Sequence, residues 1–266
     1  MGSLAAFLLI WVRTSALFFG ARPAFAQPGV PGLVRLGLSG VVAFLLLPLA
    51  PQGAWLESLY AADAGGPAWA AWAYAVAREV AAGLVMAFGV NVLFGAVLLA
   101  GQLVDLPMGF SVVNVMDPTT GQEMPLIGQF QVLLATLIFF GVNGHHEMIR
   151  SLAASLRLVP PGAPSAGGAL LDGAVDAFAG SFVLGIRLGA PVMAALFLAD
   201  VALAVVARAV PQLNVFVVGF PAKILLGFGA ILLALPSFTN VLAGAFGRGG
   251  EMWAWVLRMA QALSGQ

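Results

Sequence analysis

Apolar residues in this chain gather into runs of membrane length, separated by short stretches of Pro, Gly and charged side chains. At about 20 residues per span, the runs 4–19, 33–49, 80–104, 126–142, 178–206 and 215–235 predict six helices that cross a bilayer. The third and fifth runs exceed what one bilayer needs, so tilt, a kink or extension beyond the lipid is expected of them. Residues 48–68 and 159–168 are rich in Pro, Gly and Ala and predict linkers without a core of their own. Near the C-terminus, Met252, Trp253, Trp255, Val256 and Met259 recur at helical spacing around Glu251 and Arg258. That spacing predicts a short amphipathic helix that lies at a membrane interface or binds a partner.

The segment 106–125 interrupts this pattern. Leu106-Pro107-Met108-Gly109-Phe110, a Val-rich link and Asp117-Pro118-Thr119-Thr120-Gly121 set helix breakers beside bulky apolar groups. A lipid-facing backbone there would lose its hydrogen bonds, so the segment is expected to line a cavity or a path.

Composition agrees with the pattern. Hydrophobic residues make up 61% of the chain and charged residues 8%, with a mean hydropathy of +1.02, whereas soluble domains carry about 25% charged residues. The expected fold class is therefore an all-α integral membrane protein of about six long apolar helices, in contact with the lipid bilayer. Eleven basic and eleven acidic side chains balance, and Lys223 is the single lysine. Such a chain offers no basic surface for nucleic acid and no polybasic lipid-binding tail. Cysteine is absent, which removes thiolate metal sites, Cys nucleophiles and disulfides.

Ala24-Phe25-Ala26 has the small-x-small form of a signal-peptidase site. The run before it has no basic residue ahead of its apolar core and holds Arg13 within that core, so a retained first membrane helix is expected. Lys and Arg in the short loops are nearly balanced between the two possible topologies and do not set the orientation.

Glycines recur every six residues on the third helix, at Gly83, Gly89, Gly95 and Gly101. Successive steps of roughly 240° point them to different sides, as on a helix crowded by protein all round. Gly185 and Gly189 form a GxxxG on the fifth helix. Arg13, Arg78, Glu79, Arg187 and Asp200 are ionisable groups in or beside apolar runs. They are expected to pair with one another or with partner chains, and Arg78 and Glu79 lie near the predicted helix start, where a charge can snorkel.

Enzymatic chemistry finds little support. His146-Glu147-Met148-Ile149-Arg150 begins like a zinc-protease motif, but Arg150 stands where the second His must complete the metal face. Asp172 and Asp176 share a helix face and are best read as first-turn acids that favour the helix dipole. No GxxxxGK[ST] occurs, so the chain has no P-loop. No catalytic residue, metal site or cofactor is expected.

In chain order, Arg13 with Pro23, Ala100-Gly101, Asp105, Met108-Gly109-Phe110, Asp117-Pro118, Pro125, Gly144-His145-His146, Ser155 and Pro160 resemble the pattern of the FliR family. Arg208, Pro211-Gln212, Asn214, Phe216, Gly219-Phe220-Pro221 and Lys223 resemble its second block, and Leu156 replaces the Phe more common after the family's Ser. The resemblance implies a subunit of the flagellar type III export gate, similar to the T component of virulence secretion systems. FliP-like, FliQ-like and FlhB-like membrane subunits would be its partners and unfolded flagellar proteins its cargo. The location implied is the bacterial inner membrane at the flagellar basal body, with protrusion toward the periplasm.

It further implies a FliP-like helical part at 1–158 with a plug loop at 105–123, a linker at 159–168, a FliQ-like hairpin at 169–238 and an amphipathic tail at 239–266. The plug residues would be Asp105, Met108, Gly109, Phe110, Asp117, Pro118 and Gly121. Arg13, Arg78, Glu79, Arg187, Asp200, Arg208, Gln212, Asn214 and Lys223 would be subunit-interface or structural groups. An injectisome gate and a stand-alone six-helix transporter with Asp105, Asp200 and Arg187 at its midplane are the alternatives.

Overall fold

In a computed structural model of the chain, residues 2–21, 30–49, 68–110, 125–162, 168–212 and 214–263 are described. Eight α-helices occur among them: α1 (Gly2–Gly20), α2 (Gly32–Leu46), α3 (Ala68–Met108), α4 (Leu126–Gly141), α5 (Gly144–Leu158), α6 (Gly168–Ala209), α7 (Val215–Phe246) and α8 (Glu251–Ala262). No strand occurs among the described residues, so the all-α expectation holds.

The expected span count changes. Four stretches, Gly32–Leu49, Trp69–Met108, Gly168–Ala209 and Val217–Ala262, are long and apolar enough to cross a bilayer, or five if α4 and α5 form one broken span. The first run is a shorter apolar helix with Arg13 buried in it. The fourth stops at Gly141, and Asn143, left-handed at φ 60°, precedes a new helix. The third and fifth runs prove longer still, at 41 and 42 residues, about 60 Å each at 1.5 Å per residue.

The chain divides into two compact units, residues 1–93, 139–178 and 244–266, and residues 94–138 and 179–243. In the first, α2 lies against α1, where Trp11 Nε1 donates to Ser39 Oγ at 3.1 Å and the Ser15 and Ser39 hydroxyls meet at 2.9 Å. α8 packs on α5, and Phe139 meets Phe246 edge-on at 5.4 Å. Met252, Trp253, Trp255, Val256 and Met259 are all buried, and Trp253 Nε1 donates to the Phe246 carbonyl at 2.8 Å. The C-terminal helix is amphipathic as expected, but this chain's own residues cover its apolar face, which is not left open for lipid or a partner.

Two of the periodic glycines fall in this unit. A Cβ on Gly83 would meet the Arg13 carbonyl and lie 2.6 Å from Ala16 Cβ on α1, and one on Gly89 would lie 2.7 Å from Val256 on α8. In the second unit Gly101 is against the Gly128 backbone of α4. Three glycines thus admit three different helices, while Gly95 meets nothing within 4 Å. The GxxxG of α6 also seats a neighbour, since a Cβ on Gly185 would lie 2.9 Å from the Ala96 carbonyl and one on Gly189 3.3 Å from that of Ala100. Val104, Met108, Ile127, Val192, Leu196 and Ile231 form the core of this unit.

Candidate functional site

Two constellations stand out, one in each unit. In the first, Arg13 on α1 and Glu79 on α3 form a fully buried ion pair, with Nε to Oε2 at 2.6 Å and Nη2 to Oε1 at 3.0 Å. Its two-pronged geometry matches the planar guanidinium to the planar carboxylate. Arg13 Nη1 also donates to the Val159 carbonyl at 3.1 Å and to Ser155 Oγ at 3.4 Å. Glu79 Oε1 accepts the Gly162 N–H at 2.7 Å. The pair therefore gathers α1, α3, the end of α5 and the turn after it.

Glu79 is not at a helix start, because α3 begins at Ala68; it is enclosed rather than snorkelling. Arg78, next to it, is half-buried and has its guanidinium over the Tyr74 ring at 5.1 Å. Ser155 and Val159, which bond Arg13, and Gly162, which bonds Glu79, are the members of this network that the sequence did not single out as partners of the pair. Two are backbone groups, which sequence pattern does not reveal.

The second constellation is the base of the segment 106–125. α3 ends on Gly109, with φ 89°, where the Gly109 N–H bonds the Leu106 carbonyl at 3.2 Å and the Phe110 N–H that of Asp105 at 3.3 Å. These are the paired bonds of a Schellman helix end, whose left-handed position suits glycine. Met108 is fully buried and fits over Gly227, where a Cβ would lie 2.6 Å from its methyl carbon. Phe110 meets the Phe228 ring edge-on at 6.3 Å. The segment thus leaves α3 fastened to α7.

Its return is fastened as well. The Asp105 carboxylate, nearly buried, accepts the N–H groups of Ile127 at 3.1 Å and Gly128 at 3.4 Å. It caps the first turn of α4 from 22 residues away, satisfying donors that a helix start leaves unpaired. Residues 111–124, with Asp117, Pro118 and Gly121 of the expected plug, lie outside the described residues.

The remaining singled-out charges are scattered. Asp200 and Lys223, both expected as subunit-interface or structural groups, form an ion pair between α6 and α7. Arg187 is exposed on α6 and has no ion pair among the described residues. Arg208 is exposed in the last turn of α6, Gln212 is exposed in the turn that follows, and the Asn214 carbonyl accepts the Val217 and Val218 N–H groups at the start of α7. Arg150, which breaks the zinc motif, pairs with Glu147.

A chain whose described residues form helices and no strand, with apolar helices of about 40 residues, is an integral membrane protein. The profile of the bacterial export proteins, family 1, matches residues 4–249. The flagellar biosynthetic protein FliR of Bacillus subtilis is 34% identical over 91% of this chain and 90% of its own length. That of Escherichia coli is 29% identical over 86% and 84%. The Yop proteins translocation protein T of Yersinia pestis is 27% identical over 56% and 58%. The chain belongs to the bacterial export proteins, family 1, as the FliR-like pattern of its residues implies.

Proposed function

We propose that the chain is a subunit of a type III protein export gate in the bacterial inner membrane, at the base of a flagellum. The observation that carries this reading is how little of α6 and α7 is covered by the chain itself, in a family of export proteins. Only 17% of the most apolar window of each of these two spans is buried, against 61% for α3. Lipid accounts for apolar exposure but not for Arg187 on such a surface, which costs a few kcal/mol in lipid and asks for protein neighbours. FliP-like, FliQ-like and FlhB-like subunits are the partners this reading names, and unfolded flagellar proteins the cargo. Residues 1–158 form a FliP-like part and 169–238 a FliQ-like hairpin, joined by 159–168.

Residues 106–123 act as a plug across the channel. The fastened base supports that role, because Met108, Phe110 and Asp105 hold the two described ends of the segment against α7 and the start of α4. The flagellar assignment is favoured over an injectisome because the flagellar relatives match over 84% and 90% of their length and the Yersinia protein over 58%. A stand-alone transporter is disfavoured, since Asp105 is engaged by the α4 backbone and Asp200 by Lys223, and no ion pair joins either to Arg187 among the described residues.

A strain that lacks this chain should secrete no flagellar subunits, with secretion restored by the intact gene; normal secretion would overturn the gate reading. Deleting 111–121 should raise ion leak through the assembled channel. An unchanged leak would remove the plug role alone.

A further inference from the structure

Gln131 on α4 borders a recess of about 20 Å³ between α4, α6 and α7, and its buried Oε1 accepts no hydrogen bond. Leu188 and Val192 of α6 and Ile231 and Leu235 of α7 line the same space. With the ion pair of Asp200 and Lys223, these neighbours define an antiparallel register in which residue 188 lies level with 235 and residue 192 with 231. Both helices carry an interior proline at this level, Pro191 in α6 and Pro236 in α7. A proline has no N–H to give, so the Arg187 and Leu232 carbonyls, four residues back, lose their helical donors, and each ring pushes the carbonyl aside. The recess leaves room beside both breaks. α3 is weakened near the same level, because Pro107 lies in its last turn and takes the donor from Leu103. Past this level the hairpin extends beyond the end of α3, where Met108 is seated at Gly227, and none of residues 201–212 is buried.

We propose that Pro191 and Pro236 form a hinge across the hairpin, about which its far arm, residues 198–212 and 214–225, swings. Pro221 lies within that arm, in the second turn of α7, where the ion pair of Asp200 and Lys223 ties the two helices together. The root of the arm carries Gly227 and Phe228, against which Met108 and Phe110 are seated. A swing of the arm therefore pulls on the base of the segment 106–125. This last step rests on the reading of the chain as an export gate subunit; the hinge itself does not.

The chain has no cysteine, so introduced pairs take spin labels at chosen sites alone. One pair is Leu133→Cys on α4 with Val205→Cys in the arm, and the reference pair is Leu133→Cys with Val183→Cys on the other side of Pro191. All three sites are exposed. Val205 lies about 21 Å past Pro191 along α6, so a bend of about 20° there moves it by roughly 7 Å. In the full-length chain in lipid nanodiscs, pulsed electron resonance should give a distance distribution about that wide for the first pair and a narrow one for the reference. Pro191→Ala with Pro236→Ala restores the missing donors and should narrow the first distribution to the width of the second. Secretion of flagellar subunits by a strain with both alanines should be lost while the variant chain still accumulates in the membrane. A narrow first distribution in the unaltered chain, or a broad one that survives both alanines, would overturn the hinge and leave the gate reading intact. Undiminished secretion with both alanines would overturn the coupling to the segment. If a strain lacking the chain secretes normally, the gate reading and the coupling fall together, and the distance measurement still decides the hinge.

Discussion

Arg13 and Arg187 are the same residue type set within apolar helices, and the chain treats them oppositely. Arg13 is buried, forked onto Glu79 and bonded further to Ser155 and Val159. Arg187 is exposed on α6 with no ion pair among the described residues. The first unit meets its largest polar demand within itself, although His145 Nδ1 is buried without a hydrogen-bond partner, and its C-terminal helix turns its tryptophans inward. The second leaves demands unmet at Arg187 and Gln131. On the gate reading, the exposed Arg187 and the uncovered apolar faces of the second unit are what this chain offers to neighbouring subunits.

The sharpest way to break the comparison is to remove one partner of the buried pair. Arg13→Met leaves Glu79 charged and enclosed, and should cost about 3–5 kcal/mol. Arg13→Met with Glu79→Met removes both charges and should recover most of that loss. Thermal unfolding of the purified chain in mild detergent reads both, and a double variant no better than the single would deny the pairing.

Next come the glycines of α3. Gly101→Ala forces a methyl against the Gly128 backbone and should cost roughly 1–3 kcal/mol. Gly95→Ala meets nothing and should stabilise by up to about 1 kcal/mol through helix propensity alone. The same unfolding measurement separates them, and equal effects would mean the crowding is not specific to the glycine sites.

Asp105→Ala uncaps α4 and should cost about 1 kcal/mol, with faster proteolysis within 111–124 as its local signature. If cleavage there were unchanged, Asp105 would not hold the base of that segment. The smallest effect belongs to the Asp200 and Lys223 pair, which is partly exposed. Asp200→Asn should change the isolated chain's stability by less than about 1 kcal/mol, and a larger loss would mean the second unit meets more of its own needs than its surface suggests.

How much of this was visible in the sequence follows from which forces have a periodic signature. Apolar runs announced the helices, and glycines at six-residue steps announced a helix crowded from several sides, because both are properties of one element read along its length. The pairing of Arg13 with Glu79 was foreshadowed only as a general need of buried charges, since the partners are 66 residues apart and nothing local couples them. The cap on α4 was hidden for the same reason. Asp105 was placed in the expected plug by resemblance, and its bonds to Ile127 and Gly128 appear only once the chain has turned back. Trp253 and Trp255 misled because an amphipathic helix has the same pattern whether its apolar face meets lipid, a partner or its own chain. Gln131 went unnoticed because Gln129 and Gln131, two apart in an apolar run, have no helical spacing to show which of them is buried.

The central claim is that this chain completes its second unit with other membrane chains. Native mass spectrometry of a tagged copy, purified in mild detergent after co-expression with the membrane proteins encoded beside it, tests that most directly. The account predicts a defined particle that holds this chain with several smaller membrane subunits; a lone chain or a symmetric dimer with no other protein would contradict it.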